Sequence, residues 1–153
     1  MVKNRHFLLV EDNVDLATLA LRIFKKNNLL TRLTVVAGGQ DALDLLMKMA
    51  DTSASACESF PSLVLLDLNM PQMDGYETLK RIRQSPQIKN VPVVILTTSE
   101  DPEDIDTCYG LGVNAYIFKP TEYEALEKTI LLIEAYWGRY NMPPPICFWS
   151  DRP

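Results

Sequence analysis

Four short apolar runs in this sequence each end on side chains able to do ionic chemistry. Glu11 and Asp12 follow FLLV, Asp67 follows LVLL, Thr97 closes VVIL and Lys119 closes AYIF. A run of this length suits a strand buried on both faces. Such a strand offers a carboxylate no partner until the chain leaves the sheet. Directly after Asp67 come Asn69, Pro71, Asp74 and Gly75, which are loop and helix-start residues. Asp67 is therefore expected at the carboxyl end of a core strand, facing a crevice. If Glu11 and Asp12 lie beside it, three carboxylates repel one another, and the site needs a cation or must hold protons. All-oxygen ligands with room for water suit Mg²⁺. A lysine and a hydroxyl next to a Mg²⁺-binding aspartate would neutralise and hydrogen-bond phosphoryl oxygens. The implied chemistry is in-line attack by the Asp67 carboxylate on a phosphoryl group, with the metal and Lys119 stabilising the equatorial oxygens. Glu11 and Asp12 equally fit an exposed acidic turn that caps the following helix, and their residue types leave that alternative open.

Such a convergence depends on how the elements are ordered. Strands are expected at His6 to Val10, Leu33 to Val36, Leu63 to Asp67, Val93 to Thr97 and Ala115 to Phe118. Helices are expected from an N-cap at Asn13 to about Asn27, over Gln40 to Lys48, over Gly75 to Gln84, after the Asp101-Pro102 start, and over Glu122 to Tyr140. Ser85-Pro86 breaks the third helix, and Asp51 to Ser62 reads as a polar loop. Five βα units imply an α/β fold, a doubly wound five-stranded parallel sheet with helices on both faces. In the flavodoxin-like order 2-1-3-4-5 the first and third strands are neighbours at the switch point where ligands bind. Residues 1–140 then form one domain with an extended last helix, and residues 141–153 an irregular tail.

Bulk composition narrows the function. At 153 residues and 47% hydrophobic composition the chain suits a single globular domain. A net charge of −5 without a Lys/Arg stripe argues against nucleic acid as the main partner. Phe7 to Val10 is too short for a signal peptide core or a membrane span, so a cytoplasmic location is expected. Cys57, Cys108 and Cys147 have no metal-like spacing and the only histidine is His6, so neither a disulfide framework nor a zinc site is expected.

The segments LLVEDN, LLDLNMPQMDGYE, VPVVILTTS and AYIFKP, in this order, resemble the receiver domain of two-component response regulators over nearly all of residues 5 to 140. The resemblance implies that Asp67 is the phosphoacceptor, charged by a histidine kinase. It implies that Glu11, Asp12, Asp67 and the backbone carbonyl of Asn69 hold Mg²⁺ directly or through water. Thr97 would bind the phosphoryl group, Lys119 would pair with it, and Tyr116 would turn inward on activation; a plain strand tyrosine with a wet hydroxyl is the alternative for Tyr116. Two departures, Thr121 after Lys119-Pro120 and GGQDAL at Gly38 to Leu43, lie away from this site. The IEAYWGRYNMPP ending is similar to the small response regulators paired with bacterial phytochromes. No DNA-binding segment is expected after residue 140, and no enzyme activity of its own.

Three other functions compete. A pseudo-receiver working by contacts alone would not need Glu11, Asp12, Asp67, Thr97 and Lys119 together. An aspartate-nucleophile phosphatase needs a second carboxylate two residues after the nucleophile, where Asn69 stands. A dinucleotide protein needs a glycine-rich turn after the first strand, where acids would repel phosphate.

The last helix suggests a partner. A wheel at roughly 100° per residue puts Leu126, Ile130, Ile133, Trp137 and Tyr140 on one face, widened by Ala125, Leu132 and Tyr136. Glu124, Glu127, Lys128, Glu134 and Arg139 are assigned to the opposite side. This arc exceeds what packing on one sheet needs. Either the tail folds back with Ile146, Phe148 and Trp149, or the surplus marks a homodimer through the last helix, the fourth helix and the fifth strand.

Overall fold

The computed structural model describes residues 5–50 and 59–145. Five parallel strands, β1 (His6–Val10), β2 (Arg32–Val36), β3 (Leu63–Leu66), β4 (Val93–Thr97) and β5 (Ala115–Phe118), form one sheet in the order β2-β1-β3-β4-β5. This is the expected flavodoxin-like order. Between them run α1 (Val14–Lys26), α2 (Gly39–Ala50), α3 (Gly75–Gln84) and α4 (Pro102–Gly110), and α5 (Tyr123–Ala135) follows β5. The strands are continuous apolar runs because β1, β3 and β4 are buried on both faces.

Strand alternation divides the interior into two layers. Leu8, Val10, Val64, Leu66, Val93 and Ile95 meet α2, α3 and α4 through Leu46, Leu79, Ile82 and Cys108. Phe7, Leu9, Leu63, Leu65, Val94 and Leu96 meet α1 and α5 through Ile23, Phe24, Leu126, Ile130 and Ile133. Burying each such side chain contributes roughly 1.5–3 kcal/mol. The sheet is thus clamped from both sides, and its carboxyl edge is a fixed platform.

Helix starts follow their caps. Asn13 accepts from the N–H groups of Asp15 and Leu16, Asp74 from Glu77 and Asp101 from Glu103, with Pro102 in the first turn of α4. Gly75 has no alternative. A Cβ there would lie 2.3 Å from the Asp67 carbonyl oxygen, so α3 can begin against β3 only without a side chain at that position.

The end of the chain departs from the expected single helix. After Ala135 the backbone widens into a π-helical turn, Tyr136–Tyr140, whose close is marked by the Asn141 N–H on the Tyr136 carbonyl at 2.6 Å. The change of pitch moves the later residues out of phase. Trp137 packs against the α1/α5 core, but Tyr140, expected on the same apolar face as Trp137, is 80% exposed. Glu134, assigned to the solvent side, is 2% exposed. It lies one turn beyond Ile130 on the same face, where it accepts from the Thr31 hydroxyl (2.9 Å) and from Arg139 (2.9 Å). Gly138 lets this pair close, since a Cβ there would come within 2.8 Å of Thr31 Oγ1.

Cys108 is free and buried; Cys57 and Cys147 lie outside the described residues, as do most of the polar loop and Ile146, Phe148 and Trp149 of the tail. Among the described residues, no helix is long and apolar enough to cross a membrane.

At the opposite, amino edge of the sheet Arg83 ties the α3–β4 loop to the α4–β5 loop. Its Nε donates to the Gly112 carbonyl (2.8 Å), and its terminal nitrogens donate to Lys89 O (2.8 Å), Val91 O (2.7 Å) and Asn114 Oδ1 (2.9 Å). Arg83→Ala should cost about 2 kcal/mol, because hydrogen bonds from a charged donor are lost together. A urea midpoint shift at unchanged slope checks it; an unchanged midpoint would mean that water replaces the guanidinium freely.

Candidate functional site

Register brings the expected site residues to one edge. The last residue of β1, Val10, pairs with the last residue of β3, Leu66, so Glu11 and Asp67 leave the sheet side by side. The Asp67 N–H still donates to the Val10 carbonyl (3.2 Å), and the Glu11 N–H to that of Val36 (3.0 Å). One strand further on, Thr97 pairs with Phe118, and the Lys119 N–H donates to the Thr97 carbonyl at 2.7 Å. The Asn13 cap stops the acidic pair from joining α1 and keeps Glu11 and Asp12 in the loop above the strands.

Carboxylate oxygens of Glu11, Asp12 and Asp67 all lie within 4.8 Å of one another. The Lys119 ammonium approaches two of them, 3.5 Å from Glu11 Oε1 and 3.6 Å from Asp67 Oδ2. Glu11, Asp67 and Lys119 are 4%, 8% and 9% exposed, and Asp12 is the more open member. Burial, then the neighbouring Asp67 charge, push the Glu11 carboxyl up to about 7, with Lys119 opposing only in part. One ammonium does not neutralise three carboxylates. This all-oxygen donor set, short of positive charge, fits a hard divalent cation.

The remaining expected residues fall around this cluster. Asn69 is exposed in the loop two residues beyond Asp67. Thr97 is fully buried, and its hydroxyl accepts the Ser99 N–H at 3.4 Å. Tyr116 is half-buried, and its hydroxyl donates to the Ser99 carbonyl at 2.9 Å.

A group not foreseen from the sequence adjoins Tyr116. Asp104, in the first turn of α4, accepts from the Tyr76 hydroxyl at one carboxylate oxygen and from the Ser99 hydroxyl at the other, each at 2.5 Å. Asp104 reads in sequence as a helix-start acid and Tyr76 as an apolar α3 residue. No spacing rule links positions so far apart; only the pairing of β3 with β4 does.

Comparison with known proteins places this geometry in context. The family described as response regulator receiver domain matches residues 7–131. The probable methanogenesis regulatory protein FilR2 of Methanothrix harundinacea is 38% identical over 137 residues, covering 90% of this chain and 86% of the relative. The response regulator Rcp1 of Synechocystis is 36% identical over 130 residues, covering 85% and 86%. A crystal structure of a manganese-bound form of Rcp1 superposes with a TM-score of 0.78 at 34% identity, over 92% of this chain and 99% of that one. The crystal structure of the phosphorylated cyanobacterial phytochrome response regulator RcpA superposes with a TM-score of 0.80 at 33% identity, again over 92% and 99%.

The raised Glu11 carboxyl has a pH signature. It loses its proton near 4.5 when unperturbed and near 7 in the fold. Between these values the folded state holds the extra proton, so this group's contribution falls as pH rises through the window. With chelator present, Glu11→Gln should match the wild type near about pH 4.5 and exceed it at about pH 8 by on the order of 2 kcal/mol in unfolding free energy. A constant difference across that range would mean that Glu11 is ionised throughout.

Proposed function

The chain belongs to the response regulator receiver domain family, and we propose that it is switched by a histidine kinase that transfers a phosphoryl group to Asp67. The observation that carries this reading is the Lys119 ammonium beside Asp67 and Glu11 at the edge where three carboxylates meet. A buried aspartate with an ammonium on one side and an acidic, cation-seeking pocket on the other suits a carboxylate nucleophile.

Asp67 Oδ attacks the phosphorus in line. The bond to the donor imidazole breaks, and the electron pair leaves with the imidazole nitrogen. Glu11, Asp12, Asp67 and the Asn69 backbone carbonyl would hold Mg²⁺, which when bound supplies positive charge to the phosphoryl oxygens. Lys119 exchanges its contacts with Glu11 and Asp67 for a phosphoryl oxygen. The Thr97 hydroxyl donates to another, which biases the Thr97–Tyr116 region between two arrangements. The manganese named with Rcp1 and the phosphorylated state named with RcpA support the same chemistry here.

For the donor we infer a phytochrome-type photoreceptor kinase, following the phytochrome named with RcpA. The similar identity of FilR2, named as a methanogenesis regulator, favours a non-photoreceptor kinase as the second reading. The output is a contact with protein rather than DNA, in keeping with a net charge of −5. One such contact is a second copy. Phe118 on β5 and Leu132, Tyr136 and Tyr140 on or after α5 are exposed, with Leu132 at 63%, and aromatic residues are favoured interface anchors.

Incubation with a cognate kinase or a small acyl phosphate should add one phosphoryl group by intact mass, and chelation should prevent it. Asp67→Asn should abolish the gain; labelling at the wild-type rate would move the acceptor elsewhere. Lys119→Ala should keep Mg²⁺ binding and lose the conformational response to the phosphoryl group.

The dimer is checked separately by light scattering at micromolar concentration. A monomer with and without beryllofluoride would remove the second copy from this proposal while leaving the phosphoacceptor intact.

A further inference from the structure

The carboxylate of Asp104 joins two segments that both lead away from the phosphoryl site. One oxygen takes the Tyr76 hydroxyl, on the helix whose start is pressed against the Asp67 carbonyl at Gly75. The other takes the Ser99 hydroxyl, two residues beyond Thr97. Ser99 is held on all sides. Its N–H reaches Thr97 Oγ1 (3.4 Å), its carbonyl accepts from Tyr116 (2.9 Å), and its hydroxyl also accepts the Asp101 N–H (3.2 Å). Hydrogen bonds from Ser99 and then Tyr76 keep the Asp104 carboxyl below its ordinary range, and burial followed by the bond to Asp104 raises the Tyr76 phenol. Bonds to an ionised acceptor are about twice as strong as neutral ones. An acid in the first turn of a helix needs no such partners to be favourable there. Its two-sided engagement therefore calls for a function beyond helix capping.

We propose that Asp104 is a positioning residue for the phosphoryl site: by bridging Tyr76 to Ser99 it holds the loop after Thr97, with Tyr116 on that loop's carbonyl, in the receptive arrangement before a phosphoryl group arrives. The inference rests on the reading of Asp67 as phosphoacceptor. Its consequence is thermodynamic. The apparent affinity of a ligand scales with the fraction of protein already in the competent arrangement. Tyr116 is engaged with the Ser99 carbonyl in the arrangement that the bridge holds, so the bridge raises that fraction. Without the bridge, the Ser99 hydroxyl loses its acceptor and keeps only the longer contact from the Asp101 N–H, and the loop samples other positions. Thr97 then spends less time where its hydroxyl can reach a phosphoryl oxygen.

The test is beryllofluoride affinity in the presence of Mg²⁺, followed by fluorine NMR on the full chain. Asp104→Ala should weaken beryllofluoride binding about three- to tenfold. Tyr76→Phe should weaken it in the same direction by less, since it removes one end of the bridge and leaves the packing. Asp104→Asn should recover part of the loss, because its amide oxygen still accepts from Tyr76 while its NH₂ donates to Ser99. Mg²⁺ affinity without beryllofluoride should be the same in all three variants, because Asp104 lies outside the acidic cluster. Wild-type affinity in both Asp104→Ala and Tyr76→Phe would overturn the proposal, as would an equal loss of Mg²⁺ binding, which signals general collapse of the site. If Asp104→Ala does not fold, Tyr76→Phe decides alone. A wild-type protein that binds Mg²⁺ but no beryllofluoride would instead defeat the phosphoacceptor reading, so the two failures are distinguishable.

Discussion

Holding three carboxylates together at the edge of a sheet is the constraint on which the rest of this structure depends. Two unit charges 4.8 Å apart repel by about 3–4 kcal/mol at an effective dielectric constant of about 20. A single ammonium nearby does not cancel that repulsion inside the cluster, and burial followed by the Asp67 charge raises the Glu11 carboxyl. The repulsion must be borne by packing elsewhere. The central strands carry it: β1 and β3 are buried along their whole length, end at the same register level, and are clamped by helices on both faces. A softer scaffold would relax by letting Glu11 and Asp67 swing apart.

That division of labour explains what could be read from the sequence. β1, β4 and the helix over Gly75–Gln84 were legible to the residue, and β3 to within its last residue, because a buried strand must be a continuous apolar run and because Asp74 and Gly75 fix where a helix can begin. Once the order 2-1-3-4-5 was assumed, the convergence of Glu11, Asp12, Asp67, Thr97 and Lys119 followed from strand ends alone. Where geometry depends on a change of helical pitch, sequence periodicity fails. The wheel carried a constant 100° step through Tyr136–Tyr140, where the backbone becomes π-helical, and so put Tyr140 on one face with Trp137, although Trp137 packs on the core and Tyr140 is exposed. Glu134 failed for another reason. Its side-chain type says solvent, but its position beyond Ile130 and the partners Thr31 and Arg139 make burial affordable.

The bridge through Asp104 belongs to a third category. Each of its members has a sufficient local explanation: a helix-start acid, a loop serine, a helical tyrosine. Only their meeting is informative, and it arises because β3 and β4 are neighbours, so that the start of α3 and the start of α4 rise side by side. Links between sequential βα units are invisible to local pattern and depend on topology together with side-chain length.

The placement of the two roles in the proposed switch then follows from the sheet itself. Tyr116 sits on β5, which has a neighbour on one side only and whose residues are half-buried or exposed. A rearrangement there disturbs one strand ladder, whereas a shift of β1 or β3 disturbs two. In the proposed switch the phosphoryl chemistry therefore belongs on the strands that cannot move, and the response on the edge strand that can. The same edge carries exposed Phe118 and leads into α5 with its exposed Leu132. The Tyr76–Asp104–Ser99 bridge spans the gap between the two, from the helix anchored at Asp67 to the loop under Tyr116. In the proposed switch β4 lies between the rigid β1 and β3 and the responsive β5, and the proposed coupling across it runs through one carboxylate.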